Sequence, residues 1–144
     1  MDISLYQIVS FLIILIFSLI LSVQDIKHMK VRVYIQCLSI LCALICQLIF
    51  TRTELWLYIL SSLLMGCFYF LVRKITYNKL GSADIWFGFF QGLFLTPFFI
   101  PVCLGAESLA ALIIVNKRFG KQSFAFIPYM SFGLILAYLI QLFY

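Results

Sequence analysis

The sequence predicts an all-α integral membrane protein of six transmembrane helices, and three observations lead there. Of 144 residues, 65% are hydrophobic and only 10% are charged, against roughly 45–50% apolar and about 25% charged in a soluble domain. Apolar runs close to the length of a bilayer crossing follow one another along the chain. The basic residues fall between these runs, so that nine of the ten Lys and Arg side chains can share one face. A chain with a mean hydropathy of +1.16 cannot clothe a water-facing surface. That excludes a soluble enzyme, a disordered tail and a secreted disulfide scaffold.

A crossing needs about 20 predominantly apolar residues to span some 30 Å of hydrocarbon. Residues 4–23, 33–50, 55–72 and 124–144 each supply one. The opening residues Met1–Gln7 carry no basic region and no small-residue cleavage site follows, so the first run is expected to be retained rather than removed as a signal peptide. The stretch 85–115 is too long for one crossing, since about 1.5 Å per residue would make it some 46 Å as a single helix. Pro97 and Pro101 stand near its middle, where proline removes a backbone donor and clashes with the preceding turn. Two short helices, 84–96 and 99–115, are therefore expected. With six crossings, Lys27, Lys30, Arg32, Arg73, Lys74, Lys79, Lys117, Arg118 and Lys121 fall on one side, and Arg52 alone on the other. The positive-inside rule makes the first side cytoplasmic and puts both termini outside. Short helices at membrane depth are tolerated where they line a cavity, so a wet depression is expected on the cytoplasmic face. No repeat or linker divides the chain, which reads as one domain over 1–144.

The net charge is +5, and in so apolar a chain its expected use is orientation in the bilayer rather than nucleic-acid binding. Cys37, Cys42, Cys46, Cys67 and Cys103 all lie in apolar runs, no CxxC occurs, and His28 is the only histidine. Neither a metal site nor a cofactor is expected. The cysteines read as small hydrophobic packing residues. A Ser-His-Asp or Cys-His site would have to use His28 in a basic loop, and neither HExxH nor a phosphate-cradling glycine loop is present.

Of the five acids, Asp2 and Glu54 fall at the outside boundary, whereas Asp25 ends the first helix and Asp84 begins the fourth, both on the cytoplasmic side. The orientation rests on Lys and Arg alone, so the meeting of these two acids on one side is independent of it. Asp84, Gly88 and Gly92 recur every four residues and share a face, and the GxxxG pair allows another backbone to approach closely. Ser18, Ser22 and Asp25 likewise line one face of the first helix. Acids at membrane depth are costly and usually face protein or a cavity. Each aspartate could instead serve as a helix cap or pair with a nearby lysine. For Asp84 capping suits a helix N-terminus, with Ser82 beside it; for Asp25 the C-terminal end of a helix disfavours an anion. On that contrast, Asp84 is the expected general base and Asp25 the general acid. Glu107, deeper in its helix, is expected either to be a protonated hydrogen-bond donor between helices or to support the site.

These residues resemble a known family. Lys79-Leu80-Gly81-Ser82-Ala83-Asp84-Ile85 is similar to the GxGD motif of type IV prepilin peptidases and the related preflagellin peptidases. Asp25-Ile26-Lys27-His28-Met29-Lys30-Val31 resembles their first motif, an aspartate at a helix end followed by a short basic loop. Ile127-Pro128-Tyr129-Met130-Ser131-Phe132-Gly133 is similar to the opening of their last helix. Ala83 replaces the motif's second glycine, Arg32-Val33 stand where the family has Pro-Asn, and the resemblance is to a short form without the amino-terminal cysteine-rich methylation segment. The resemblance implies an aspartic endopeptidase of the cytoplasmic (inner) membrane that removes the basic leader of prepilin-like proteins bearing an apolar N-terminal helix. It implies catalysis by Asp25 and Asp84, support from Gly81, Ser82, Ala83 and Gly88, and a role beside a type IV pilus. The competing expectation is a small transport or assembly subunit in which Asp25 and Asp84 relay protons or hold helices together.

Overall fold

The computed structural model describes residues 4–28, 31–75, 82–117 and 126–144. Six α-helices follow in order: α1 (Leu5–His28), α2 (Val33–Phe50), α3 (Leu55–Ile75), α4 (Ser82–Gly92), α5 (Ile100–Lys117) and α6 (Ile127–Phe143). Single 3-10 turns, Arg52–Glu54 and Pro97–Phe99, precede α3 and α5. No strand occurs among the described residues. Among the described residues three helical stretches, Leu5–His28, Val33–Phe50 and Arg52–Ile75, are long and apolar enough to cross a membrane, and Pro97–Ile113 and Ile127–Phe143 are shorter apolar helices.

The bundle is apolar outside and partly polar inside. On α1 the buried positions are Ser10, Ile14, Ser18, Leu21 and Asp25, a stripe at helical spacing, while Leu12, Ile16, Leu19, Val23 and Ile26 are exposed. α2 and α3 repeat the pattern, burying Gln36, Ser39 and Gln47, and Ser61 and Ser62, respectively. Water would reverse this arrangement. In lipid the apolar side chains lose nothing by facing outward, and buried polar groups find partners only within the protein.

Long-range hydrogen bonds fix which helix ends meet. At one end, Asp25 near the close of α1 reaches Ile127 at the start of α6, and Gln36 in the first turn of α2 reaches Ala83 at the start of α4. At the other end, Tyr6 of α1 reaches Gln47 near the close of α2, and Gln47 in turn reaches Leu93 beyond the close of α4. Successive helices therefore run in opposite directions. α4 packs into α3 at Gly88 and Gly92: a Cβ at Gly88 would overlap the Tyr69 ring, and one at Gly92 would overlap the Ser62 backbone. The Ser62 hydroxyl also donates to the Phe89 carbonyl at 2.8 Å.

Two helix bounds differ from expectation in ways that matter. α1 continues past residue 23 to His28, because nothing in 24–28 breaks a helix and Lys27 and His28 in its last turn suit the negative end of the helix dipole. Asp25 thus lies inside the helix rather than at its end. α4 stops at Gly92 instead of 96, and its 11 residues span only about 16 Å. The chain then turns through Leu93, Phe94 and Leu95, all buried. Their backbone is satisfied by side chains: Gln47 donates to the Leu93 carbonyl at 2.7 Å and Gln141 to the Phe94 carbonyl at 3.2 Å, while Gln141 Oε1 accepts the Thr96 N–H at 3.0 Å. Thr96 is extended, as the residue before a proline should be. α5 begins at Ile100 and runs to Lys117, and α6 begins at Ile127 with Pro128 in its first turn, where a missing N–H costs nothing.

Candidate active site

The first turn of α4 carries Ser82, exposed, Ala83, half-buried, and Asp84, which is 8% exposed. Gly81 lies outside the described residues. Gln36, itself buried on α2, donates from Nε2 to the Ala83 carbonyl at 2.8 Å. A helix start has free N–H groups rather than free carbonyls, so this bond is not demanded by α4. It serves instead to fix the backbone one residue before Asp84.

Asp25 is likewise 8% exposed. Its Oδ2 accepts the backbone N–H of Ile127 at 3.1 Å, and the Phe126 backbone N–H also bonds the carboxyl. Phe126, at the N-cap of α6, makes no side-chain cap of its own. Asp25 therefore caps α6 from across the bundle. Three residues earlier on α1, the Ser22 hydroxyl meets that of Ser131 on α6 at 3.1 Å, and Ser131 also donates to the Ile127 carbonyl at 2.9 Å. The polar face of α1 is thus turned toward the start of α6.

Both acids stand at the same end of the bundle. The rings of Phe17 on α1 and Phe90 on α4 meet edge-on at 6.1 Å between centroids, about two turns in from each aspartate, which aligns the two helices at similar depth. A depression of about 320 Å3 opens beside this end, lined by Gln24, His28, Val31 and Arg32. Arg32 and Val33 make the turn into α2 without a proline: the Arg32 N–H donates to Gln24 Oε1 at 3.3 Å, and its guanidinium donates to the Tyr34 hydroxyl at 2.7 Å. Glu54 is exposed at the opposite end, in the turn before α3. Asp2 lies outside the described residues.

Gly88, one turn along α4 from Asp84, is buried beneath the Tyr69 ring. The Tyr69 hydroxyl bonds Glu107 Oε1, and Gln91 Nε2 donates to Glu107 Oε2 at 3.1 Å and to the Met130 carbonyl at 2.8 Å. Glu107 thus joins helices as a hydrogen-bond acceptor, not as the protonated donor expected from the sequence.

Four glutamines were not legible as site residues: Gln36, Gln47, Gln91 and Gln141. Each donates to a main-chain carbonyl on another helix or turn. The available signal was their presence inside otherwise apolar runs, where an unpaired amide is expensive. The two carboxyls together offer what hydrolysis of an amide needs: a group to take a proton from water and a group to give one to the carbonyl oxygen.

The model of the type IV leader peptidase family matches residues 12–116, which includes both Asp25 and Asp84. Comparison with curated proteins finds no match, and neither does comparison with solved structures.

Proposed function

The chain belongs to the type IV leader peptidase family, and from that premise we propose that it is a membrane aspartic endopeptidase that removes the basic leader of type IV prepilin-like proteins at the cytoplasmic face. The reading rests on one observation above the rest. Asp25 and Asp84, the two aspartates inside the family match, are both nearly buried and stand at the same end of a bundle whose outer surface is apolar.

In this reading one of Asp25 and Asp84 is protonated and the other ionised, as in the paired acids of aspartic proteases. The ionised member takes a proton from water, whose oxygen attacks the scissile carbonyl carbon. The protonated member gives its proton to the carbonyl oxygen, and the amine leaves with a proton as the tetrahedral intermediate collapses. The Phe126 and Ile127 amides hold the Asp25 carboxyl, and Gln36 holds the backbone that carries Asp84. Gly81, Ser82, Ala83 and Gly88 support that second acid. The substrate's apolar helix enters from the lipid, because His28 and Arg32 beside the depression would not attract a basic leader. Nine of ten Lys and Arg residues on one side support a six-crossing, multi-pass protein of the cytoplasmic membrane with its site on the cytoplasmic face.

Purified protein in lipid nanodiscs, incubated with a prepilin-type substrate, should convert it to the leaderless form in a mass spectrum. Intact substrate after prolonged incubation with well-folded protein would reject the peptidase reading and favour a transport or assembly subunit.

A further inference from the structure

Glu107 is 2% exposed near the middle of α5, and none of the chemistry above uses it. α5 packs chiefly along α6, where Gly133 lies so close that a Cβ there would come within 3.0 Å of Glu107 Cβ. The Glu107 carboxyl reaches beyond α6 to two other helices. Oε1 bonds the Tyr69 hydroxyl of α3, and Oε2 accepts from Gln91 Nε2 of α4 at 3.1 Å.

Both partners lead to the two aspartates. Asp84, Gly88 and Gln91 recur at four- and three-residue spacing and form one stripe of α4. The network grips that stripe twice, through Gln91 and through the Tyr69 ring seated on Gly88. On α6, Gln91 Nε2 donates to the Met130 carbonyl at 2.8 Å, one turn from Ile127, whose N–H holds Asp25 at 3.1 Å. One carboxyl thus ties the helix whose first turn carries Asp84 to the helix whose start holds Asp25. A well-packed apolar residue would join these helices at lower desolvation cost, yet an acid stands here at membrane depth, where such groups tend to serve function.

We propose that Glu107 is a positioning residue that sets the placement of Asp84 relative to Asp25; this rests on reading those two as the catalytic pair. Its carboxyl touches neither acid and acts through Gln91, Tyr69 and the first turn of α6. The amide of E107Q can still accept from Tyr69 and can donate to Gln91 Oε1, which has no hydrogen-bond partner among the described residues. E107M fills similar space and makes neither bond. Y69F keeps the ring on Gly88 and loses only the hydroxyl.

The test compares kcat and KM for these three variants on a prepilin-type substrate. It also measures the distance between nitroxides at I26C and W86C, two exposed positions flanking the acids, by pulsed electron spin resonance in nanodiscs. Cys37, Cys42 and Cys67 are replaced by alanine, and the buried Cys46 and Cys103 are kept. In E107M, kcat should fall by roughly tenfold to a hundredfold, as misplaced catalytic groups do. KM should stay within about twofold, since substrate binding is untouched, and the distance distribution should broaden. E107Q should keep most of kcat and a narrow distribution, with Y69F between. The proposal is overturned if E107M leaves the distances unchanged, if its loss lies in KM alone, or if E107Q falls as far as E107M. Should E107M not fold, Y69F decides by the same readings. D25N and D84N, assayed in parallel, report on the catalytic pair itself. If either cleaves, the dyad fails, while the nitroxide distances still decide whether Glu107 couples the two helix starts.

Discussion

Asp25, three residues before the end of α1, accepts a hydrogen bond from the backbone N–H of Ile127, the first residue of α6, 102 positions further along the chain. A helix N-terminus offers unpaired N–H groups and the positive end of the dipole, and Asp25 supplies the cap that Phe126 lacks. Asp84 lies in the first turn of α4. Both acids therefore stand at helix N-termini, Asp84 at its own and Asp25 at that of α6. The contrast that would make Asp84 the base and Asp25 the acid disappears, because the anion-disfavouring end of α1 is offset by the start of α6.

Asp25→Asn and Asp84→Asn should each abolish leader cleavage while the protein still inserts and folds, since one carboxyl cannot supply both acid and base. Asn retains an acceptor for the Ile127 amide, so the melting temperature of D25N in detergent should match the parent. Asp25→Ala removes the cap and should cost about 0.5–2 kcal/mol. Substantial turnover by either Asn variant in a purified assay would end the dyad.

Gln36→Leu should lower both stability and turnover. It removes the bond that the Ala83 carbonyl accepts at 2.8 Å in addition to its helical one, worth about 0.5–1.5 kcal/mol, and it loosens the backbone that carries Asp84. Thermal unfolding and kcat, measured together, check this; a variant with parental kcat would show that Asp84 is held by α4 alone.

Gly92→Leu should prevent α3 and α4 from packing, because even a Cβ at that position would overlap the Ser62 backbone. Overpacking of this kind costs about 1–3 kcal/mol or more. Gly105→Ala, where nothing lies within 4 Å, serves as the control and should leave the melting temperature unchanged or slightly raised. Equal effects from the two substitutions would contradict the close approach at Gly92.

Cysteines introduced as Lys27→Cys, Lys79→Cys and Lys121→Cys should resist a membrane-impermeant reagent applied to intact cells, whereas Thr51→Cys and Pro97→Cys should react. The expectation follows from the distribution of Lys and Arg. Labelling at position 121 would mean that the stretch 85–115 crosses once and that six crossings are wrong.

The helical class, the bounds of α2 at Val33–Phe50 and the break in the fourth apolar stretch were legible in the sequence, because composition, run length and proline act locally. So was the gathering of Asp25 and Asp84 at one end, which follows from counting alternating helices. The tertiary structure alone decided where α4 stops. Leu93, Phe94 and Thr96 leave the helix with their backbone paired because Gln47 and Gln141, which are 46 and 47 positions from Leu93 and Phe94, supply the partners. It also decided what holds each acid: Ile127 for Asp25, and Gln36, through the Ala83 carbonyl, for Asp84. The physical reason is the same throughout. Periodicity, caps and charge bias are read within a few residues, whereas a hydrogen bond between distant helices has no local pattern, and in a bundle facing lipid such bonds are where buried polar groups find their partners.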